Sequence, residues 1–217
     1  MILRPPGRKE RTMYFDSVAV EPLSTNCYLI GDETEKVCAV VDPGGSPELV
    51  LDMIQRSGMK LTMILATHGH FDHVRAIPEI LVEYPDVPVY IHEQELCQPE
   101  NWDKRLWLVH QGENQRTYSD GDTLMLGSIP IHVMFTPGHS AGSVVLLAED
   151  YMLSGDTLFA GTCGRWDLFG GSSANMMASL ARLGSLQKNY KVYHGHGRPS
   201  TLDLEKRTND YVRQAMA

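Results

Sequence analysis

The chain has 217 residues, enough for one large domain with a substantial buried core. With 42% hydrophobic and 21% charged residues it is globular in composition, which excludes a disordered or coiled-coil chain. A net charge of −8 argues against a partner nucleic acid held by general electrostatic attraction.

No apolar run approaches the roughly 18 residues of a membrane span, and the basic segment before Met13 lacks the apolar stretch of a secretory signal. A cytoplasmic protein without a membrane partner is expected. Residues 1–12 read as a disordered arm, and 13–217 as one domain. The cysteines Cys27, Cys38, Cys97 and Cys163 form no C-x-x-C pair and read as free thiols.

In chain order, Phe15–Val20, Asn26–Ile30 and Val37–Val41 read as strands, the second ended by Gly31-Asp32. Asp42-Pro43-Gly44-Gly45 is a turn whose glycines permit a positive φ and close backbone approach. Ser46 at N-cap and Pro47 at N1 open a helix from about Glu48 to Ser57, closed by Gly58. Leu61–Ala66 is an apolar run interrupted only by Thr62, the pattern of a strand covered on both faces.

Thr67-His68-Gly69-His70-Phe71-Asp72-His73 follows directly. It places four metal-ligand residue types in six positions at a strand end. Side chains two apart in extended chain share a side, so His68 and His70 can converge on one ion. If the chain turns at Phe71 into a helix over Val74–Leu81, Asp72 and His73 face a second position nearby.

A helix Ile77–Tyr84 and a strand Val87–Ile91 complete a strand–helix–strand unit. Residues 93–120 read as a polar surface excursion near the pocket. Strands resume at Asp122–Leu126, Ile129–Phe135, Ser143–Ala148 and Tyr151–Ser154, and a glycine-rich loop spans Ala160–Ser173. The helix Asn175–Leu183 carries a core stripe of Met176, Met177, Leu180 and Leu183, Lys191–Tyr193 is a last strand, and Leu202–Ala215 a closing helix.

Three later strands end in a polar residue beside glycine: His139 in Thr136-Pro137-Gly138-His139, Asp156 in Ser154-Gly155-Asp156, and His196 in Gly195-His196-Gly197. Seven ligands exceed what one catalytic zinc takes, about three with a position left open. They suit two ions: His68, His70 and His139 for one, Asp72, His73 and His196 for the other, and Asp156 between them. His196 is preferred over His194 because glycines on both sides allow close approach. His92, His110 and His132 read as ordinary surface or core histidines. All N/O ligation suits Zn²⁺ first, with Fe or Mn²⁺ also compatible.

With its H-x-H-x-D-H run at His68 to His73, followed in order by His139, Asp156 and His196, the chain resembles the metallo-β-lactamase superfamily. The resemblance implies a single-domain αββα sandwich with a dinuclear site at one edge of the sheets. It assigns the same seven ligands, gives Asp72 and Asp156 catalytic roles, and puts Asp42 behind the ligands. Asp156, where β-lactamases of the family commonly carry Cys, argues against antibiotic hydrolysis.

The compact branch similar to glyoxalase II, the hydroxyacylglutathione hydrolases, fits most closely, with Gly164-Arg165-Trp166-Asp167 and Gly170-Gly171-Ser172 similar to its glycine-rich loop. That resemblance implies hydrolysis of a small thioester such as S-lactoylglutathione by a water bridging the ions, in a monomer or homodimer, with Arg165 placed for an anionic part of the substrate. One departure is that only about one helix follows His196, where full-length glyoxalase II carries a helical domain that binds glutathione. Rival readings are a mononuclear-iron persulfide dioxygenase using His68, His139 and Asp156, a lactone or phosphoester hydrolase, and a metal-binding protein without turnover.

Overall fold

Alternation along the strands decides the layering. In β2 (Thr25–Asp32), Cys27 and Leu29 point one way and Tyr28 and Ile30 the other, and all four are buried. Such a strand has to be covered on both faces. The computed structural model describes residues 13–96 and 112–217.

The first sheet has the order β1 (Met13–Val20), β2, β3 (Val37–Val41), β4 (Lys60–Leu65), β5 (Val89–His92) and β6 (Gln115–Tyr118). Its first three strands are antiparallel and the rest run parallel. Helices α1 (Pro47–Ser57), α2 (Phe71–Val74) and α3 (Ile77–Glu83) and a 3₁₀ turn, Glu93–Glu95, fall between its strands.

The second half begins with β7 (Thr123–Leu126), β8 (Ile129–Phe135), β9 (Val144–Ala148) and β10 (Tyr151–Gly155). A small hairpin, β11 (Leu158–Phe159) with β12 (Thr162–Cys163), leads to α4 (Ser173–Gly184). Then come β13 (Lys191–His194), β14 (Ser200–Thr201), α5 (Leu202–Thr208) and α6 (Asp210–Ala215). The second sheet has the order β14-β13-β10-β9-β8-β7.

Three apolar clusters define the four layers. Val50, Met53 and Ile54 of α1 and Ile77 and Ile80 of α3 cover the outer face of the first sheet. Ile30, Val41 and Leu65 meet Ile131, Leu146 and Leu153 between the sheets. Met176, Leu180 and Leu183 of α4, with Leu202 and Val212, cover the second sheet. The αββα sandwich is therefore present, with Met177 only partly buried beside the stripe.

Several local expectations are corrected. Ser46 occupies the N-cap position of α1 but does not cap: its φ is 43°, and its Oγ accepts from the Glu21 amide at 3.1 Å instead. The positive φ values of this turn fall on Asp42 (53°) and Ser46, not on the glycines. The second strand runs past Gly31 to Asp32. Residues 115–118 are an edge strand, and the glycine-rich loop contains β12. The helix after the histidine cluster is split into α2 and α3, and the closing helix breaks at Asn209. There the side chain accepts from the Tyr211 amide at 3.1 Å and donates to the Thr162 carbonyl at 2.9 Å.

Cys27, Cys38 and Cys163 are buried free thiols. Residues 1–12, Cys97 and His110 lie outside the described residues. Among the described residues no helix is long and apolar enough to cross a membrane.

Candidate metal centre

The seven residues singled out in the sequence meet at one end of the sandwich. His68 lies in a bend just beyond the end of β4, and His70 follows in extended conformation at φ −64° and ψ 143°. Helix α2 starts at Phe71, so Asp72 and His73 turn to a different position, as the spacing predicts. The second sheet supplies the rest: His139 from the β8–β9 turn, Asp156 just after β10 and His196 just after β13. Gly195 is needed for the last approach, because a Cβ there would lie 2.1 Å from Asp156 Oδ1 and 2.7 Å from His73 Cε1.

Three sets of ligand atoms lie within 4.8 Å of one another: His68, His70 and His139; His68, His73 and Asp156; Asp72, His73 and His196. The first and third are the two sets expected from spacing, and the second joins them through Asp156. His73 Nε2 is 3.5 Å from Asp72 Oδ2 and 3.4 Å from Asp156 Oδ1. His196 Nε2 is 3.2 Å from Asp72 Oδ2, and His139 Nε2 is 3.5 Å from Asp156 Oδ2. Two atoms bound at about 2.0–2.1 Å to one tetrahedral ion lie about 3.3 Å apart, so these separations match the edges of a coordination shell.

The lone pairs point the right way, and their neighbours fix them. The Arg165 carbonyl, 2.7 Å from His139 Nδ1, can only accept, so the proton sits on Nδ1 and Nε2 is bare. Asp42 Oδ2 takes the His73 Nδ1 proton at 2.9 Å in the same way. Thr67 gives its hydroxyl proton to Asp42 Oδ2 at 2.7 Å, which leaves its oxygen to accept from His68 Nδ1 at 3.1 Å. His68 Nε2 and His73 Nε2 are thereby buried acceptors with no hydrogen-bond partner in the protein, as is Asp156 Oδ1. Buried polar atoms left so are costly, and a bound cation satisfies all of them.

Electrostatics agree with the geometry. Burial, then neighbouring histidines, push His68 well below the ordinary histidine range, and burial takes His70 down to about 3. Burial likewise lowers His139, partly offset by Asp156. Burial would raise Asp72, but His196, His73 and Thr25, whose hydroxyl donates at 2.9 Å, bring it down to about 2. Asp156 is lowered by His73, His139 and His196 against its own burial. His73 and His196 go the other way. Burial opposes their charge, yet Asp156 and Asp42 raise His73, and Asp72 and Asp156 raise His196. Three histidines are thus held neutral on one side, and on the other two ionised carboxylates draw His73 and His196 toward their charged forms, a positive charge that a bound cation would supply in place of the proton on Nε2.

Of the other histidines, His194 donates Nδ1 to the Leu158 carbonyl at 2.5 Å and stays behind the ligand set. His92 stacks on Phe135, and His132 is an exposed partner of Thr123. Arg165 lines the cavity above the cluster, but its guanidinium is held in a fork by Asp167 at 2.7 and 2.8 Å. That cavity is about 500 Å³, with apolar walls from Leu23, Phe71, Phe159 and Leu168. Sequence reasoning missed Glu95, which is fully buried beside the ligand loops. Nothing in His92-Glu93-Gln94-Glu95 separates it from its exposed neighbour Glu93.

The family model for the metallo-beta-lactamase superfamily matches residues 20–196. The chain belongs to that superfamily. Its members are metal-dependent hydrolases, and the His/Asp cluster of this chain could hold metal. Among relatives, "Probable metallo-hydrolase YqgX" of Bacillus subtilis is 33% identical, over 92% of this chain and 98% of its own. A hydroxyacylglutathione hydrolase of Alkalilimnicola ehrlichii is 36% identical, over 82% of this chain and 64% of its own. Among solved structures, BLEG-1, a B3 metallo-beta-lactamase, superposes with a TM-score of 0.81 at 28% identity, covering 92% of this chain and 99% of its own. A protein solved in a di-iron-bound form gives 0.77 at 35% identity, covering 90% and 99%.

Proposed function

We propose that the protein is a dinuclear metallohydrolase that cleaves a small thioester such as S-lactoylglutathione. The observation that carries this reading is the convergence of seven His and Asp ligand atoms, in two sets joined by Asp156, with His70, Asp72, His139, Asp156 and His196 lining a cavity and His68 and His73 buried behind them. His68, His70 and His139 would hold one ion and Asp72, His73 and His196 the other, with Zn²⁺ first and Fe or Mn²⁺ compatible with the same donors. Two such ions supply a water acidic enough to be hydroxide near neutral pH and polarise the attacked carbonyl.

The protein's own residues do the rest. Asp72 and Asp156 are held ionised, so they can accept hydrogen bonds from a water and orient it without taking its proton. Thr25 fixes Asp72 by its hydroxyl. A thiolate leaving group, with a pKa near 8.5, departs without a strong general acid. Leu23, Phe71, Phe159 and Leu168 shed water from the acyl group. Arg165 would meet an anionic part of the substrate by exchanging Asp167 for it, a small cost because both residues are exposed. The hydroxyacylglutathione hydrolase relative supports the thioester, and the di-iron neighbour supports a two-ion centre.

The test is metal analysis of protein purified without added metal, paired with turnover on a thioester panel that includes S-lactoylglutathione. Two equivalents and thioesterase activity are expected; metal-loaded protein inert on the whole panel sinks the reading. A second reading is a single iron held by His68, His139 and Asp156 in a persulfide dioxygenase, in which His139 and Asp156 approach to 3.5 Å but the three do not form one of the close ligand sets. One iron with oxygen uptake on glutathione persulfide would establish that instead.

A further inference from the structure

Glu95 closes the 3₁₀ turn after β5, and its side chain has no exposed surface. Its carboxylate reaches two loops from different sheets. Oε2 accepts the Gly69 amide at 2.7 Å, and Gly69 is the residue between His68 and His70. Oε1 accepts the Ser140 hydroxyl at 2.7 Å and the Gly142 amide at 2.5 Å, in the turn that carries His139. Ser140 is also tied to Ser143 at 2.6 Å, which closes that turn on itself.

The candidate ligands adjacent to these contacts are His68, His70 and His139, which form one set, with His68 also standing close to His73 and Asp156. Gly69, Ser140 and Gly142 are chain neighbours of that three-histidine set. A buried carboxylate that receives two backbone amides is held by charge-assisted bonds, the strong class of hydrogen bond. It therefore sets the distance between the β4 loop and the β8–β9 turn.

We infer that Glu95 is a positioning residue for one half of the centre: it holds His70 Nδ1 and His139 Nε2 at their 2.8 Å separation and so sets the metal affinity of the three-histidine site alone. The inference rests on the two-ion reading of the cluster. Partners of metal ligands typically contribute about 10–100-fold in metal affinity, which fixes the size of effect to look for.

The test is titration of wild-type, Glu95→Gln and Ser140→Ala protein, each stripped of metal, with Zn²⁺ and with Co²⁺. Affinities are read by chelator competition and the occupied histidines by imidazole NMR. In Glu95→Gln one of the two oxygens becomes an NH2, which leaves either the Gly69 or the Gly142 amide facing a donor in place of an acceptor. One equivalent is expected to weaken about 10–100-fold with the shifts of His68, His70 and His139 altered, while the other equivalent and the His73 and His196 signals hold. Ser140→Ala removes one donor and keeps the carboxylate, so it should weaken the same equivalent only a few-fold. It also carries the test if Glu95→Gln does not fold.

Equal loss at both equivalents, or none, overturns the positioning role while leaving the dinuclear reading intact. Wild-type protein that binds fewer than two ions overturns the dinuclear reading itself, and the inference with it.

Discussion

Asp42 and Glu95 are two buried carboxylates that stand behind the same cluster and act in different ways. Asp42 works on protons. Its oxygens take the Thr67 amide, the Thr67 hydroxyl and His73 Nδ1, and through Thr67 it also orients His68, so it decides which nitrogen of two ligands is bare. Glu95 works on backbone, touching amides and a hydroxyl beside the ligands and no ligand ring in the contacts described above. The difference teaches that one side of a metal site can be tuned by tautomer and the other by loop spacing.

The largest effect should come from removing what both carboxylates serve. Asp156→Ala is expected to cut turnover about a thousandfold with the circular dichroism spectrum unchanged, and retention of more than a tenth of the activity would show that Asp156 is dispensable. Asp42→Ala should come next. It leaves the buried Thr67 amide and His73 Nδ1 without their acceptor, which costs about 3 kcal/mol in urea unfolding, and it should lower metal affinity about 10–100-fold. Unlike Glu95→Gln, it should disturb the NMR signals of both His68 and His73. If the two variants give the same histidine pattern, the contrast between them collapses.

A smaller effect concerns pH. Burial pushes the Glu95 carboxyl up to about 7, against the pull of Ser140, Gly69 and Gly142 toward the ionised form. A carboxyl raised in the folded state contributes stability that is fully present below about 4.5 and is lost as pH rises through about 7. The stability of wild type relative to Glu95→Gln, from urea curves at pH 5, 6, 7 and 8, should therefore decline across that range. A difference that grows with pH would show that the three donors dominate. Smallest of all, Asp167→Asn should free Arg165 and lower KM for an anionic thioester about twofold to fivefold with kcat unchanged. No change for anionic and neutral thioesters alike would remove Arg165 from substrate binding.

The cluster of candidate ligands was legible because five of them follow a strand end and Asp72 and His73 open the short helix α2 just beyond one, and a strand end is written locally as an apolar run followed by polar residues and glycine. The two-sheet core was legible for the same reason, since a fully apolar strand such as β3 and the apolar end of β4, Met63–Leu65, need cover on both faces. Glu95 was not, because its partners lie 26 and more positions away and no local pattern marks it. Ser46 and Asn209 show the same limit in smaller form. The Ser46 hydroxyl serves Glu21 and not its own helix, and the Asn209 amide serves Phe159 and Thr162 and so breaks a helix that residue pattern alone would continue.

The ligand set divides between the two sheets, four residues from the end of β4 and three from the second half. Between the sheets themselves the buried contact is mostly apolar, and apolar faces attract without preferring one rotation over another, although Tyr28 Oη to the His194 carbonyl and the Asn26 amide to the Gly195 carbonyl add directional ties near the site. Ligand bonds do prefer one. A bound ion would act as a clasp at one end of the sandwich, and the amides of β4 and β10 nearest it should slow their hydrogen exchange together when metal is added, as parts of a single hinge pinned shut.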